Sequence, residues 1–258
     1  MLVIAIMSRL TLILKVRVKT MDIVYLYKNS GRDEIIYSLR SLENIPHNKV
    51  FIVGDCHKYI NKEKVIYIPA ENNGSKYHNT TANLKLACQD ERLSDDFILM
   101  NDDFFILKPI KEPKEELNFH KGTIDKVVER LLGRYSQGSE YIRGMAQTGE
   151  LLKKIGIEQP LCYELHIPFV LNKHNFLQMF KDFADNIAKI KCFHKRSFYG
   201  NLYYKDSKFM TDIKTDGVKN LFPQKEQKFI SSSDFSFDTM KFFLKDLFSK
   251  KSIYERSK

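Results

Sequence analysis

Three polar residues, Asn101-Asp102-Asp103, interrupt the apolar run from Phe97 to Leu107. Burying two adjacent carboxylates without partners is very costly, so they must be solvated, paired or bound to a cation. Hard divalent cations such as Mg²⁺ or Mn²⁺ take carboxylate oxygens and commonly complete their shell with substrate phosphates. A metal held there would offset charge developing on a leaving group. The plainer alternative is a strand-ending turn whose aspartates face water.

Three further segments carry reactive side chains. In Tyr163-Glu-Leu-His-Ile-Pro168, His166 stands beside a β-breaking proline in an apolar stretch. An imidazole so placed is a candidate general base; the alternative is a hydrogen-bonded core histidine. Glu164 alternates with His166, so an extended backbone would point both to one side. Lys195-Arg196-Ser197 follows His194. An arginine fork suits phosphate oxygens; the alternative is a solvated basic turn. Ser231-Ser-Ser-Asp-Phe-Ser-Phe237 offers hydroxyls for a phosphate or, on the simpler reading, caps for the last helix.

These residues need elements to hold them. Asp22–Tyr27 reads as a buried first strand, broken by Asn29-Ser30-Gly31. Asp33 caps a helix with an apolar stripe at Ile35, Ile36, Leu39 and Leu42. Lys49–Val53 is a second strand, ending in Gly54-Asp55, and Val65–Ile68 a third, stopped by Pro69. A helix from about Thr80 buries Leu84, Ala87 and Cys88, and Asp96–Met100 is a fourth strand. This alternation predicts an α/β fold, a mostly parallel sheet flanked by helices. Ligands of such sheets bind beyond the carboxyl ends of the strands. Tyr27-Lys28-Asn29 and Asn101-Asp102-Asp103 both fall at such ends and are expected to face one crevice. Beyond a mild boundary at Pro109–Pro113 strand signals become sparse. Core-facing helix stripes are predicted around Ile124–Leu132, Phe176–Ile187 and Met240–Phe248.

The 258 residues suit one large domain, and 43% hydrophobic content supplies a core. A net charge of +10 first suggests nucleic acid or an anionic surface. Residues 1–20 hold four basic side chains and no acid, and 241–258 a net +4, so the body carries only +2. The excess sits at the two ends, which could touch an anionic surface. Cys56, Cys88, Cys162 and Cys192 lie far apart, arguing against a zinc site or disulfide framework and for free thiols in a cytoplasmic protein. The apolar start is interrupted by Arg9, lacks a cleavage site and is too short to span a bilayer, so residues 1–20 read as an N-terminal extension.

In order, Asp22-Ile-Val-Tyr25, Glu34–Leu42, Val50–Asp55, Asn101-Asp-Asp-Phe-Phe105, His166-Ile-Pro168 and Arg196-Ser197 resemble the sequence blocks of the Stealth family of sugar-phosphate transferases. Phe222-Pro223 and the serine-rich stretch are a looser match. Compact phage-encoded glycosyltransferase-like proteins look similar. The chain departs from the family at Leu26–Ser30, where the usual Trp-Val-Asp-Gly is absent and no acid appears until Asp33. The resemblance implies a GT-A-like (nucleotide-diphospho-sugar transferase) fold. It implies one catalytic domain over 21–240, followed by a basic C-terminal helix and tail over 241–258. It also implies a UDP-sugar-like donor and a carbohydrate or other hydroxyl as acceptor. Asp102 and Asp103 would hold the metal, with Asn101 beside them. His166 would be the base, Arg196 the phosphate neutraliser, and Tyr27, Asn29 and Asp55 contacts to the donor. Sugar transfer and sugar-phosphate transfer both fit. The competing expectations are a non-catalytic nucleic-acid-binding or accessory protein, and a glycosyltransferase acting on modified DNA.

Overall fold

A computed structural model describes residues 20–71, 73–134, 139–214 and 223–256. Apart from Thr20, the expected N-terminal extension lies outside the described residues, as does Phe222.

The chain runs β1 (Met21–Tyr27), α1 (Glu34–Ser41), β2 (His47–Gly54), β3 (Ile66–Pro69), α2 (Lys76–Gln89) and β4 (Asp96–Met100). Beyond β4 come β5 (Phe104–Ile106), α3 (Pro113–Glu116), β6 (Phe119–His120), α4 (Ile124–Arg134) and α5 (Glu140–Lys154). Then follow β7 (Phe169–Asn172), α6 (Lys173–Asp182), α7 (Ala184–Ile187), α8 (Lys195–Tyr203), β8 (Lys208–Phe209), β9 (Phe229–Ser231) and α9 (Phe237–Leu247).

The central sheet has the order β3-β2-β1-β4-β7. Its first four strands are parallel, and β7 closes the edge antiparallel to β4. This is a mixed α/β fold with a mainly parallel sheet, as the alternation of elements predicts. Strands buried on both faces read as continuous apolar runs. Here Val24, Phe51, Val53, Phe97 and Leu99 enter one core, which also holds Leu84 and Ala87 of α2, Met145 of α5 and Phe176 of α6. Their neighbours Ile23, Tyr25, Ile52, Ile98 and Met100 enter the other core, beneath Ile35 and Leu39 of α1.

Strands β2 and β3 are shifted by one or two residues from the sequence reading, and α2 and β7 depart from it further. Helix α2 starts at Lys76 rather than near Thr80, because Ser75 Oγ accepts the N–H of His78 and caps a polar first turn without apolar periodicity. Strand β7 lies in the region where strand signals are sparse. Four residues after a proline are too few for a periodic pattern, and pairing to β4 makes them a strand.

The C-terminal segment packs onto α1. Phe237, Met240, Leu244 and Phe248 share a core with Tyr37 of α1, Phe105 of β5 and Ile230 of β9. The compositional boundary at 240/241 therefore falls inside α9. Farther on, Arg40 grips Glu255 bidentately, Nε to Oε1 at 2.8 Å and Nη2 to Oε2 at 2.7 Å. Among the described residues no helix is long and apolar enough to cross a membrane.

Candidate active site

The strand order reverses between β1 and β4, with β2 and β3 on one side and β7 on the other. Such a reversal leaves a crevice at the carboxyl ends of the two strands. A cavity of about 670 Å³ lies there, with Tyr27, Lys28 and Asn29 after β1 and Asn101, Asp102 and Asp103 after β4 among its walls. The register Tyr25↔Met100 brings the two strand ends level. The separation of 75 residues between Tyr25 and Met100 is bridged by one hydrogen-bonded ladder.

Asn101–Phe104 is a tight turn closed by Phe104 N–H donating to Asn101 O at 3.3 Å. Antiparallel pairing of β5 with β9 then brings the serine run beneath the turn. Ser231 Oγ donates to Asp103 Oδ2 at 3.2 Å, and Ser232 N–H to Asp103 O at 3.2 Å. Ser232 Oγ donates to Glu34 Oε1 at 2.7 Å. The serines thus hold carboxylates. The helix-capping role expected of them is not made by side chain, since the N-cap Ser236 makes no side-chain cap hydrogen bond to α9.

Glu34 completes an acidic wall that the residue pattern alone did not disclose. It opens α1 and faces the same cavity as Asp102 and Asp103. Residues Leu26–Ser30, from the end of β1 onward, carry no acid, and the next helix brings one in. Burial, then the charges of Asp103 and Glu34, pushes the Asp102 carboxyl up to about 7. Burial also raises Glu34, partly offset by the Ser232 hydrogen bond. Such a crowd of carboxylates attracts a cation. Among the described residues no group of three or more His, Cys, Asp or Glu side chains is arranged to hold an ion alone. Asp102 and Asp103 nevertheless supply hard oxygens, with Lys214 Nζ 3.8 Å from Asp103 Oδ2. They fit a cation that draws its remaining ligands from phosphates and water.

His166 lines the same cavity, its ring edge-on to Phe104 with centroids 6.2 Å apart. Its ring Nδ1 is 2.9 Å from Asp212 Oδ1, and its backbone N–H donates to the same oxygen at 3.1 Å. Lys121 Nζ pairs with Asp212 Oδ2 at 3.0 Å. Burial alone would push Asp212 up, but His166 and Lys121 outweigh it and hold the carboxyl well below the usual range. Asp212 carries no local sequence signal: it lies 46 residues from its histidine, outside any helix or strand.

Arg196 also lines the cavity, yet its fork is committed to the protein. Nη1 donates to Leu165 O at 2.8 Å and Nη2 to Ile167 O at 2.7 Å, the carbonyls flanking His166. The guanidinium sits 4.8 Å from the Phe169 ring centroid and 5.9 Å from that of Phe104. The neighbouring Lys195 reaches the cavity with Nζ on Thr80 Oγ1 at 3.0 Å. Glu164 accepts Ser197 N–H and Oγ–H at 3.1 and 3.2 Å, anchoring the first turn of α8. Burial favours its neutral form, but His194, Arg196 and Lys195 hold it well below the usual carboxylate range. Burial opposes charge on His194 too, and contacts with Cys192 and Glu164 raise it to about 9.

The expected donor contacts separate into two groups. Tyr27 and Asn29 line the cavity, joined by Tyr27 Oη donating to Asn29 Oδ1 at 3.3 Å. Asp55 stands behind that wall. Its Oδ2 accepts Asn29 N–H at 2.8 Å, and its own N–H donates to Tyr27 O at 2.9 Å. It fixes the loop after β1. Gly54 permits this approach: it has φ +110°, and a Cβ there would collide with the Tyr27 carbonyl oxygen.

No family model and no curated protein matches the chain. Among solved structures, the chain is similar to the galactosyltransferase LgtC in complex with donor and acceptor sugar analogs, at TM-score 0.43 and 13% identity over 71% of this chain and 70% of that one. An active-site mutant of LgtC matches at TM-score 0.42 and 13% identity, covering 71% of this chain and 70% of that one. The glycosyltransferase GlyE of Streptococcus pneumoniae TIGR4 matches at TM-score 0.38 and 12% identity, over 74% of this chain and 45% of that one.

Proposed function

We propose that the chain transfers a sugar or sugar-1-phosphate from a nucleotide-diphospho-sugar of the UDP-sugar type to an acceptor hydroxyl, with a divalent metal assisting. One observation carries this reading. One cavity at the β1/β4 reversal gathers the carboxylates Glu34, Asp102 and Asp103 with an imidazole oriented by Asp212. An acidic wall calls for a metal and phosphates, and an oriented imidazole calls for a proton to remove.

Asp102 and Asp103 would hold Mg²⁺ or Mn²⁺, which supplies charge neutralisation on the leaving phosphate. Asn101 stands at the same turn, within reach of the donor. Asn29 would present its amide to the nucleoside end, with the buried Tyr27 hydroxyl behind it and Asp55 keeping their loop in place. With Nδ1–H donated to Asp212, His166 Nε2 is a lone-pair acceptor for the hydroxyl proton of a carbohydrate or similar acceptor. Asp212 stabilises the imidazolium that results. Arg196 holds the backbone on both sides of His166 and so keeps the ring in place.

The two chemistries differ in the bond broken. Attack at the anomeric carbon releases UDP; attack at the β-phosphorus releases UMP. A UDP-sugar panel with Mn²⁺ and a mixed set of acceptors, followed by nucleotide analysis, tests the proposal. Release of either nucleotide with matching acceptor product supports it and identifies the bond. Absence of donor consumption across the panel overturns it.

A further inference from the structure

We propose that Lys195, Thr80 and Lys76 form a phosphate site that grips the diphosphate of the donor independently of a metal. The proposal rests on the donor reading above, in which Asp102 and Asp103 of the same cavity would hold the metal.

Lys195 begins α8 and crosses to α2, where its Nζ meets Thr80 Oγ1 at 3.0 Å. Lys76 lies four residues before Thr80 on α2, so the two share a helix face. All three line the cavity.

The charges around Lys195 do not balance. Lys195, Arg196 and His194, whose imidazole is raised to about 9, gather around the carboxylate Glu164. That carboxylate is already engaged by Ser197 and lies 3.7 Å from His194 Nδ1. Arg196 has given both terminal nitrogens to carbonyl oxygens. Lys195 is left with a neutral hydroxyl, and among the described residues neither it nor Lys76 makes an ion pair within 4.0 Å. A half-buried ammonium without an ion-pair partner is costly, and burial, only partly offset by Glu164, draws Lys195 down to about 8. A phosphate oxygen supplies the missing charge through charge-assisted hydrogen bonds. Lys76 also feels Asp102 electrostatically, so the phosphate site borders the acidic wall without sharing its ligands. A diphosphate bridging the two would meet lysines at one end and the metal at the other.

Calorimetry with inorganic pyrophosphate in EDTA tests this on the full chain. The wild type is expected to bind, Lys195→Met to bind at least tenfold more weakly, Lys76→Ala severalfold more weakly, and Asp103→Ala no more weakly than wild type. Lys76 is exposed, so Lys76→Ala decides the matter should Lys195→Met fail to fold. No binding by the wild type in EDTA, or unchanged affinity in folded lysine variants, overturns the site. If that happens while UDP-sugar is consumed with Mn²⁺, the phosphate site falls and the donor reading stands. Lysine-dependent pyrophosphate binding without consumption of any nucleotide-sugar leaves the phosphate site standing and removes the donor reading.

Discussion

Asp212 holds His166 twice with one oxygen, through the ring Nδ1 at 2.9 Å and the backbone N–H at 3.1 Å. A carboxylate kept ionised can only accept, so Nδ1 must carry a proton, and it is the neutral form of the ring that offers Nε2 as the lone pair. The backbone contact also fixes where the ring starts from. Asp212→Asn is therefore expected to lower kcat by about 10²- to 10⁴-fold with little change in the donor KM. His166→Ala should lose a similar amount, and the double variant little more, because the two residues act as one unit. Steady-state kinetics of the three proteins check this.

Asp103 is tied to β9 by both its carboxylate and its carbonyl oxygen. Asp103→Ala loses the Ser231 bond and the 3.8 Å ion pair with Lys214 Nζ, and keeps the carbonyl bond. Turnover should disappear while circular dichroism and the unfolding midpoint stay close to wild type. Persistent turnover in this variant, or in wild type with excess chelator, would remove the metal from the proposal.

Asp102 gives a pH signature. Its carboxyl rises on folding from 3.8 to about 7. Between those values the folded chain binds more protons than the unfolded one, so this group's contribution to stability is lost as pH rises through the window. Asp102→Asn should then raise the melting temperature of the metal-free protein by several degrees at pH 8, and by less at pH 5. At about 2–4 °C per kcal/mol for a chain of this size, thermal scans in EDTA resolve the difference. Metal affinity of the wild type should fall below pH 7, by up to about tenfold per unit, as protons compete for Asp102.

Arg40 and Glu255 clamp the C-terminal segment onto α1 with side chains only 14% and 6% exposed. Removing one partner strands the other charge. Glu255→Ala is expected to cost about 3 kcal/mol, read as a midpoint shift in urea unfolding without a change in slope. Because this clamp lies outside the cavity walls, donor KM at 20 °C should be unaffected in the folded fraction.

The sequence by itself determined the parallel strands, since strands buried on both faces must be continuous apolar runs, and Met21–Tyr27 and Asp96–Met100 are such runs. It also located the turn of Asn101-Asp102-Asp103, because charges cannot continue inside a core strand. His166 and the Lys195-Arg196 pair stood out as polar residues in unusual places, but their tasks did not. Which cation reaches the cavity depends on carbonyls of Leu165 and Ile167 that capture Arg196 and leave Lys195 to Thr80. Glu34 joins Asp102 and Asp103 only because α1 begins beside the β4 turn, and Asp212 finds His166 only when a loop folds back over 46 residues. Periodicity reports the face a residue turns to its own element's neighbours. It carries no information about contacts made by irregular segments across the fold, where most of this cavity's charges meet, and those were decided by tertiary packing alone.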